Sequence, residues 1–411
     1  MANEKNKTLL MSIFCLSAKV KAILKNGPRR LLNFMMKNFL RSIPISVFLI
    51  SCTAQKTISL TDSSQLKFID EYDIPYNKQF QNTTIGGLSG IDYDSKHKVY
   101  YLISDDRSSI NPSRFYSAKI SLDKKGIKGV RFISVKNLLA PNGSVYPNSK
   151  QDAYHTPDPE AIRYNLKTGE LLWSSEGERI IKKDTIILED PSVNTISANG
   201  KYIDSFVLPS NMHMQSVQQG PRQNGVFEGL SFINDYNKLL VSVEEPLFED
   251  GSRAGLKDSA GWVRMIYYDM STRKPEAQFA YQIDPVAFPA DPEGAFKING
   301  IPDILALNAH QVLVLERSFS TGRKPCTIKV YLAELNGASD VSNVSSLKTG
   351  KFNPVTKKLL LNMDELGIYT DNVEGMTLGP KLKSGHQSLL FVADNNFSKE
   401  EITQFLLFEI Q

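Results

Sequence analysis

Cysteine is scarce: Cys15, Cys52 and Cys326 are the whole set, and two of the three lie near the N-terminus. The rest of the chain therefore carries one thiol and no disulfide framework. Cys326, beside the apolar run that follows Pro325, reads as a small buried hydrophobe. Five histidines are too few and too scattered for a Cys/His zinc site, and no H-E-x-x-H, P-loop, C-x-x-C or dinucleotide fingerprint occurs. Charge of one sign is also lacking. The formal net charge is +4, and much of the Lys and Arg excess precedes residue 42, which gives nucleic-acid binding no support. Hydrophobic residues at 41% and charged residues at 22% match an ordinary globular protein and argue against disorder or a multi-span membrane protein.

No apolar run approaches the roughly 20 residues that span a bilayer. The longest, Ile43 to Ile50, follows Lys37 and Arg41 and ends in Leu49-Ile50-Ser51-Cys52. A charged segment, a short apolar segment and a small residue before the cut make an export signal. The last four residues resemble a bacterial lipobox, which implies lipid attachment at Cys52. On this reading residues 1–35 are an over-extended start or a disordered leader, with Met36 the true start. Residues 36–51 are the signal peptide, and 52–65, rich in Thr, Ser, Gln and Lys, are a polar tether. The expected location is outside the cytoplasm, with membrane contact through the lipid alone.

What the remainder has is repetition. A strand opening with a small or acidic residue recurs at Ser89, Glu160, Glu228, Asp303 and Glu374, spaced 68 to 75 residues apart. Each copy continues into a second apolar strand that ends in acid: Asp105-Asp106, Glu176, Glu244-Glu245, Glu316 and Asp394. Third and fourth strands are legible at 115–122 and 130–139 in the first copy and at 263–270 and 278–283 in the third. Four antiparallel strands per copy make a propeller blade. The fifth copy runs out after its third strand, at 402–410, while an unassigned strand, 66–75, precedes the first copy. The expectation is an all-β propeller over residues 66–411, with five four-stranded blades closed by the N-terminal strand. A sixth is left open if a long connection hides one. Residues 140–157 and 184–225 are read as loops from their Pro, Asn, Gly and Ser.

The order and spacing of Gly87-Leu88-Ser89-Gly90-Ile91, Tyr101 to Arg107, Val226 to Leu230, Leu313 to Phe319, Asn372 to Met376 and Val392 to Phe397 resemble the family known as "esterase-like activity of phytase". The resemblance implies a propeller and a calcium-assisted hydrolase of phosphate or carboxylic esters acting on a small molecule.

Blade geometry brings the start of each first strand beside the end of its second strand, so the repeated acids gather on one face. Glu160, Glu228, Asp303, Glu374 and Asp394 are the expected metal ligands. Carboxylates crowded at one axis raise one another's pKa unless a cation or arginines answer them. Oxygen ligands favour calcium over zinc. The expected catalytic set is Asp105, Asp106, Arg107, His155, Glu244, Glu245 and Arg317: carboxylates or His155 to move protons, and arginine forks to hold an anionic group. A feature repeated in every blade is equally well structural, each acid capping backbone N–H groups or pairing with a neighbouring arginine. The alternative function is a non-catalytic propeller that binds a ligand or partner protein at its acidic face. Ser89 lacks the final glycine of a nucleophile elbow, and His97, His310 and His386 open second strands at the opposite face as solvated turn residues.

Overall fold

The structure, a computed structural model, describes residues 57–61, 63–257 and 261–411. The expected signal peptide, Cys52 and the start of the expected tether lie outside them. Strand β1 (Leu66–Ile74) is followed by a small hairpin, β2 (Gln79–Phe80) and β3 (Thr83–Thr84). The first blade is β4 (Gly90–Asp94), β5 (Val99–Ser104), β6 (Arg114–Leu122) and β7 (Ile127–Asn137). The second runs β8 (Pro159–Tyr164) and β9 (Leu171–Ser175). It is interrupted by the hairpin β10 (Glu178–Lys182) and β11 (Thr185–Glu189), and resumes with β12 (Ser192–Ile196) and β13 (Tyr202–Ser205). The third is β14 (Phe227–Ile233), β15 (Lys238–Val243), β16 (Trp262–Asp269) and β17 (Pro275–Gln282). The fourth is β18 (Lys297–Ala306), β19 (Gln311–Ser320), β20 (Thr327–Glu334) and β21 (Thr356–Asn362). The fifth is β22 (Asn372–Lys381), β23 (Gln387–Asp394) and β24 (Thr403–Ile410), and β1 completes it by pairing antiparallel with β24, Leu66 opposite Ile410.

Five blades are present, and the N-terminal strand closes the ring as expected. The stretch 184–225 is loop only from 206 onward: residues 185–205 supply β11 and both outer strands of the second blade. These two outer strands are short, and among their residues only Val193 and Ile196 are buried apolar side chains, so they carry little of the apolar patterning that marks inner strands. The described end of the tether is not free either. Ile58 N–H donates to Leu307 O at 2.8 Å, and Leu60 is buried against the fourth blade. Among the described residues no helix is long and apolar enough to cross a membrane.

Second strands such as Leu239–Val243 and Val312–Leu315 are apolar on both faces because each blade is sandwiched between two others. Every blade-to-blade seam has its own apolar cluster. Ile103 and Phe115 meet Ile162 and Trp173, for example, and Leu390 and Phe405 of the fifth blade meet Ile91 and Tyr116 of the first. Burial on this scale, at about 25 cal/mol per Å² of apolar area, is what closes the ring.

The axis is plugged. Arg163, on β8, is 2% exposed and reaches across the channel. Its Nε donates to Leu230 O at 2.6 Å and its Nη1 to Ile91 O at 2.7 Å. Its Nη2 donates to Ile304 O at 3.1 Å and to both oxygens of Asp303 at 2.6 and 2.8 Å. Asp303 Oδ2 in turn accepts from Met376 N–H at 2.8 Å. One ion pair thus ties together the inner strands of all five blades.

Candidate functional site: a carboxylate funnel

Strand register decides which side chains face the axis. Ile91, Ile162, Leu230, Ile304 and Met376 of the inner strands pair with Leu102, Trp173, Val241, Val314 and Phe391. Two residues before each inner position stand Ser89, Glu160, Glu228, Pro302 and Glu374. In β8, β14 and β22 a bulge falls at the glutamate, and the extra residue of a bulge re-aims its side chain. Three residues after each second-strand position stand Asp105, Glu176, Glu244, Arg317 and Asp394.

The fourth blade is therefore the odd one. Asp303 is one residue out of step with the glutamates and faces Arg163 instead of joining them as a metal ligand. Glu316 is out of step in the second strand and accepts from Tyr281 Oη, Asp284 N–H, Asn299 Nδ2 and Lys357 Nζ at 2.6 to 2.9 Å. Arg317 takes the acid's place. Its Nη2 donates to Glu244 Oε1 at 2.9 Å, and its Nη1 to Glu374 Oε1 at 2.8 Å and Asn372 Oδ1 at 2.6 Å. Neighbouring carboxylates outweigh burial and hold it charged.

Asp105, Glu160, Glu176, Glu228, Glu244, Glu374 and Arg317 line one cavity of about 350 Å³. Asp158, Glu160 and Glu176 each offer an oxygen within 4.8 Å of the others, and so do Glu176, Glu228 and Glu244. Glu176 belongs to both groups and also accepts from Gly225 and Val226 N–H at 2.5 Å. Burial and then the charge of Glu244 push Glu176 up to about 7. Burial, then Glu374 and Asp106, push Asp105 to about 7. Glu160, Glu228 and Asp394 are driven well above the carboxylate range by burial and by their acidic neighbours. Asp394 Oδ2 is buried with no hydrogen-bond partner. The approach to Asp105 needs a glycine: Gly87 has φ +61°, and a Cβ there would lie 2.1 Å from Asp105 Oδ1. Hard oxygen donors, crowded, buried and answered by one internal arginine, fit calcium.

The other expected catalytic residues separate from this group. Asp106 clamps its own loop, accepting from Ser109, Ile110 and Asn111 N–H and from Arg114 Nη1 at 2.7 to 3.1 Å. Burial pushes its carboxyl up, but those bonds outweigh it and hold the acid below its ordinary range. Arg107 pairs with Glu178 at 2.5 Å and lies 3.7 Å from Asp158, so it braces the rim. His155 is exposed and meets Asp152 at 2.8 Å, outside the cavity. Glu245 does line the cavity. Its carboxylate is 2.9 Å from Arg253, neither oxygen has a hydrogen-bond partner, and burial followed by Glu244 pushes it up to about 8. Ser89 Oγ donates to Glu160 O at 2.7 Å, a bond between inner strands. Burial pushes the half-buried Cys326 thiol up to about 11, so it stays protonated. Sequence reasoning missed Arg163, whose charge sits inside an apolar strand, and Glu178, which lies in the inserted hairpin.

A five-bladed propeller with a carboxylate funnel on one face defines the class. Within it, the chain belongs to the phytase-like family, "esterase-like activity of phytase", whose family model matches residues 83–397. No curated protein matches the chain in a sequence comparison. Among solved structures it is similar to the major allergen Mala s 1 of Malassezia sympodialis, with 12% identity over 81% of this chain and 82% of that one and a TM-score of 0.39. The periplasmic gluconolactonase PpgL of Pseudomonas aeruginosa gives 9% identity over 80% and 89%, TM-score 0.36. An N-acetylgalactosamine deacetylase from F. plautii gives 10% over 84% and 95%, TM-score 0.43. At these identities and scores the likenesses bear on neither substrate nor mechanism.

Proposed function

We propose that the protein hydrolyses phosphate or carboxylic esters of small molecules with the help of calcium, outside the cytoplasm, anchored by a lipid on Cys52. The observation that carries the chemistry is Glu176, shared by two groups of three convergent carboxylates in a cavity where Arg317 bonds Glu244 and Glu374. Asp158, Glu160, Glu176, Glu228 and Glu244 would hold the metal. Calcium, when bound, would polarise the ester oxygen and lower the pKa of a water. Glu245, which lines the cavity next to Glu244 and 2.9 Å from Arg253, would carry the proton to a leaving oxygen. Asp105, lining the same cavity, would take one from water. Arg317 does not act as an anion fork: its bonds to Glu244 and Glu374 orient those carboxylates.

The test is phosphate release from phytate and simple phosphomonoesters, and ester hydrolysis, by the purified domain from residue 53 onward, with calcium titrated against a chelator. Calcium-dependent turnover that Glu176→Gln abolishes in a folded variant is the expected result. Calcium binding without any turnover would reject the enzyme and favour a propeller that binds a ligand or partner at this face. The anchor has its own test: Cys52→Ser should release the protein from the membrane fraction, and a variant that stays membrane-bound would refute it.

A further inference from the structure

The two arginines expected to grip an anionic substrate are already engaged, Arg317 by Glu244 and Glu374, and Arg107 by Glu178 and Asp158. Three other cations line the funnel cavity; Arg253 is held by Glu245 at 2.9 Å and by Gln223 O, which leaves Arg323 and Lys324. Arg323 lies over the Phe288 ring, and its guanidinium makes no hydrogen bond or ion pair among the described residues; its Nε is shielded from solvent yet unpartnered. Lys324 is exposed, and its ammonium has one hydrogen bond, to Glu400 O at 3.0 Å. Beside them the wall turns aromatic. Phe296 is 53% exposed and packs on Phe319 with ring centroids 6.1 Å apart, and both line the cavity. Arg253 lies over the Phe296 ring at 5.9 Å, and the rest of that exposed ring gains free energy when a ligand's apolar part covers it. An unpaired guanidinium beside it is a donor fork without an acceptor.

We propose that Arg323 and Lys324 form an anion subsite, and that the cavity takes an ester whose non-reacting end carries a second anionic group, a carboxylate or phosphate. The flat apolar middle of that ligand lies against Phe296 and Phe319. This deepens the hydrolase reading above and rests on its placing the ester end in the carboxylate funnel.

The experiment compares phenylphosphonate with 4-phosphonobenzoate, unreactive probes that differ only in a second anion, by calorimetry on the calcium-loaded protein. The added carboxylate should tighten binding about tenfold, the scale of a charge-assisted contact. That advantage should vanish in Arg323→Gln/Lys324→Gln while phenylphosphonate binds as before. Both positions lie outside the blade cores, and an unchanged melting temperature confirms that the variant is folded. Equal binding of the two probes, or an advantage that survives in the double variant, overturns the subsite and leaves the funnel reading standing. Failure of both phosphonates to bind overturns the two together.

Discussion

Removing the axial plug should cost more than any other single change outside the seams between blades. Arg163→Met keeps most of the apolar stem and deletes the guanidinium. It strands the carbonyls of Ile91, Leu230 and Ile304, and leaves Asp303 buried with only Met376 and Ile304 N–H for partners. Breaking a buried pair by removing one member costs about 3–5 kcal/mol, because the other charge remains without an answer. Asp303 already sits near 6 with Arg163 present, burial having raised it against the guanidinium. Without Arg163 it rises further and takes up a proton more readily. The penalty should therefore be greatest at pH 8 and shrink towards pH 5. In Arg163→Met/Asp303→Leu the stranded charge is gone, so the pair replaced together should be more stable than Arg163→Met alone. Urea unfolding followed by circular dichroism at pH 5 and pH 8 reads all three quantities. A single-variant cost below about 1 kcal/mol at pH 8 would show that the plug is a filler and not a clasp.

With calcium chelated, the wild type should lose stability as pH rises from about 5 to 8. Asp105 and Glu176 near 7 and Glu245 near 8 are raised above their unfolded values, so the folded state holds protons that the unfolded chain has released. Calcium should flatten that slope; a melting temperature that climbs with pH in chelator refutes it. Asp106→Ala should destabilise by about 3 kcal/mol by freeing its loop and leaving the buried Arg114 charge without its carboxylate, and a thermal shift near zero would contradict the clamp. His155→Ala, at an exposed position, should leave stability within about 0.5 kcal/mol and turnover unchanged; lost turnover at intact stability would restore it as a base. Deleting residues up to 75 removes β1 and opens the fifth blade, and soluble, cooperatively folding protein from that truncation would contradict closure by the N-terminal strand.

The blades were legible because two independent markers kept one period, and the ring closure because a strand was left over at one end and missing at the other. The fourth blade misled at both markers for one physical reason. A strand has period two, so a slip of one residue reverses the face a side chain takes. Asp303 and Glu316 each lie one place from the functional register, next to Pro302 and Arg317, and an acid at either position looks the same in sequence. The outer strands of the second blade hid among Asn, Ser and Gly because Ser192–Ile196 is five residues long and breaks the period of two with Asn194-Thr195. Arg163 gave no signal: a charge within Ala161-Ile162-Arg163-Tyr164 has meaning only once four other strands present carbonyls and an acid to it.

The pairing of β1 with β24 sets the order of events in folding. Leu66 and Ile410 stand near opposite ends of the described chain, so the contact that shuts the ring has close to the greatest sequence separation among the described residues. Such contacts form last and slowly. Until residue 410 is available β1 has no partner, and four complete blades wait beside an open seam with the apolar faces of the first and fifth unjoined. The closed ring can therefore be reached only once residue 410 has been made, and the carboxylate funnel, which draws residues from all five blades, comes into being as the ring shuts.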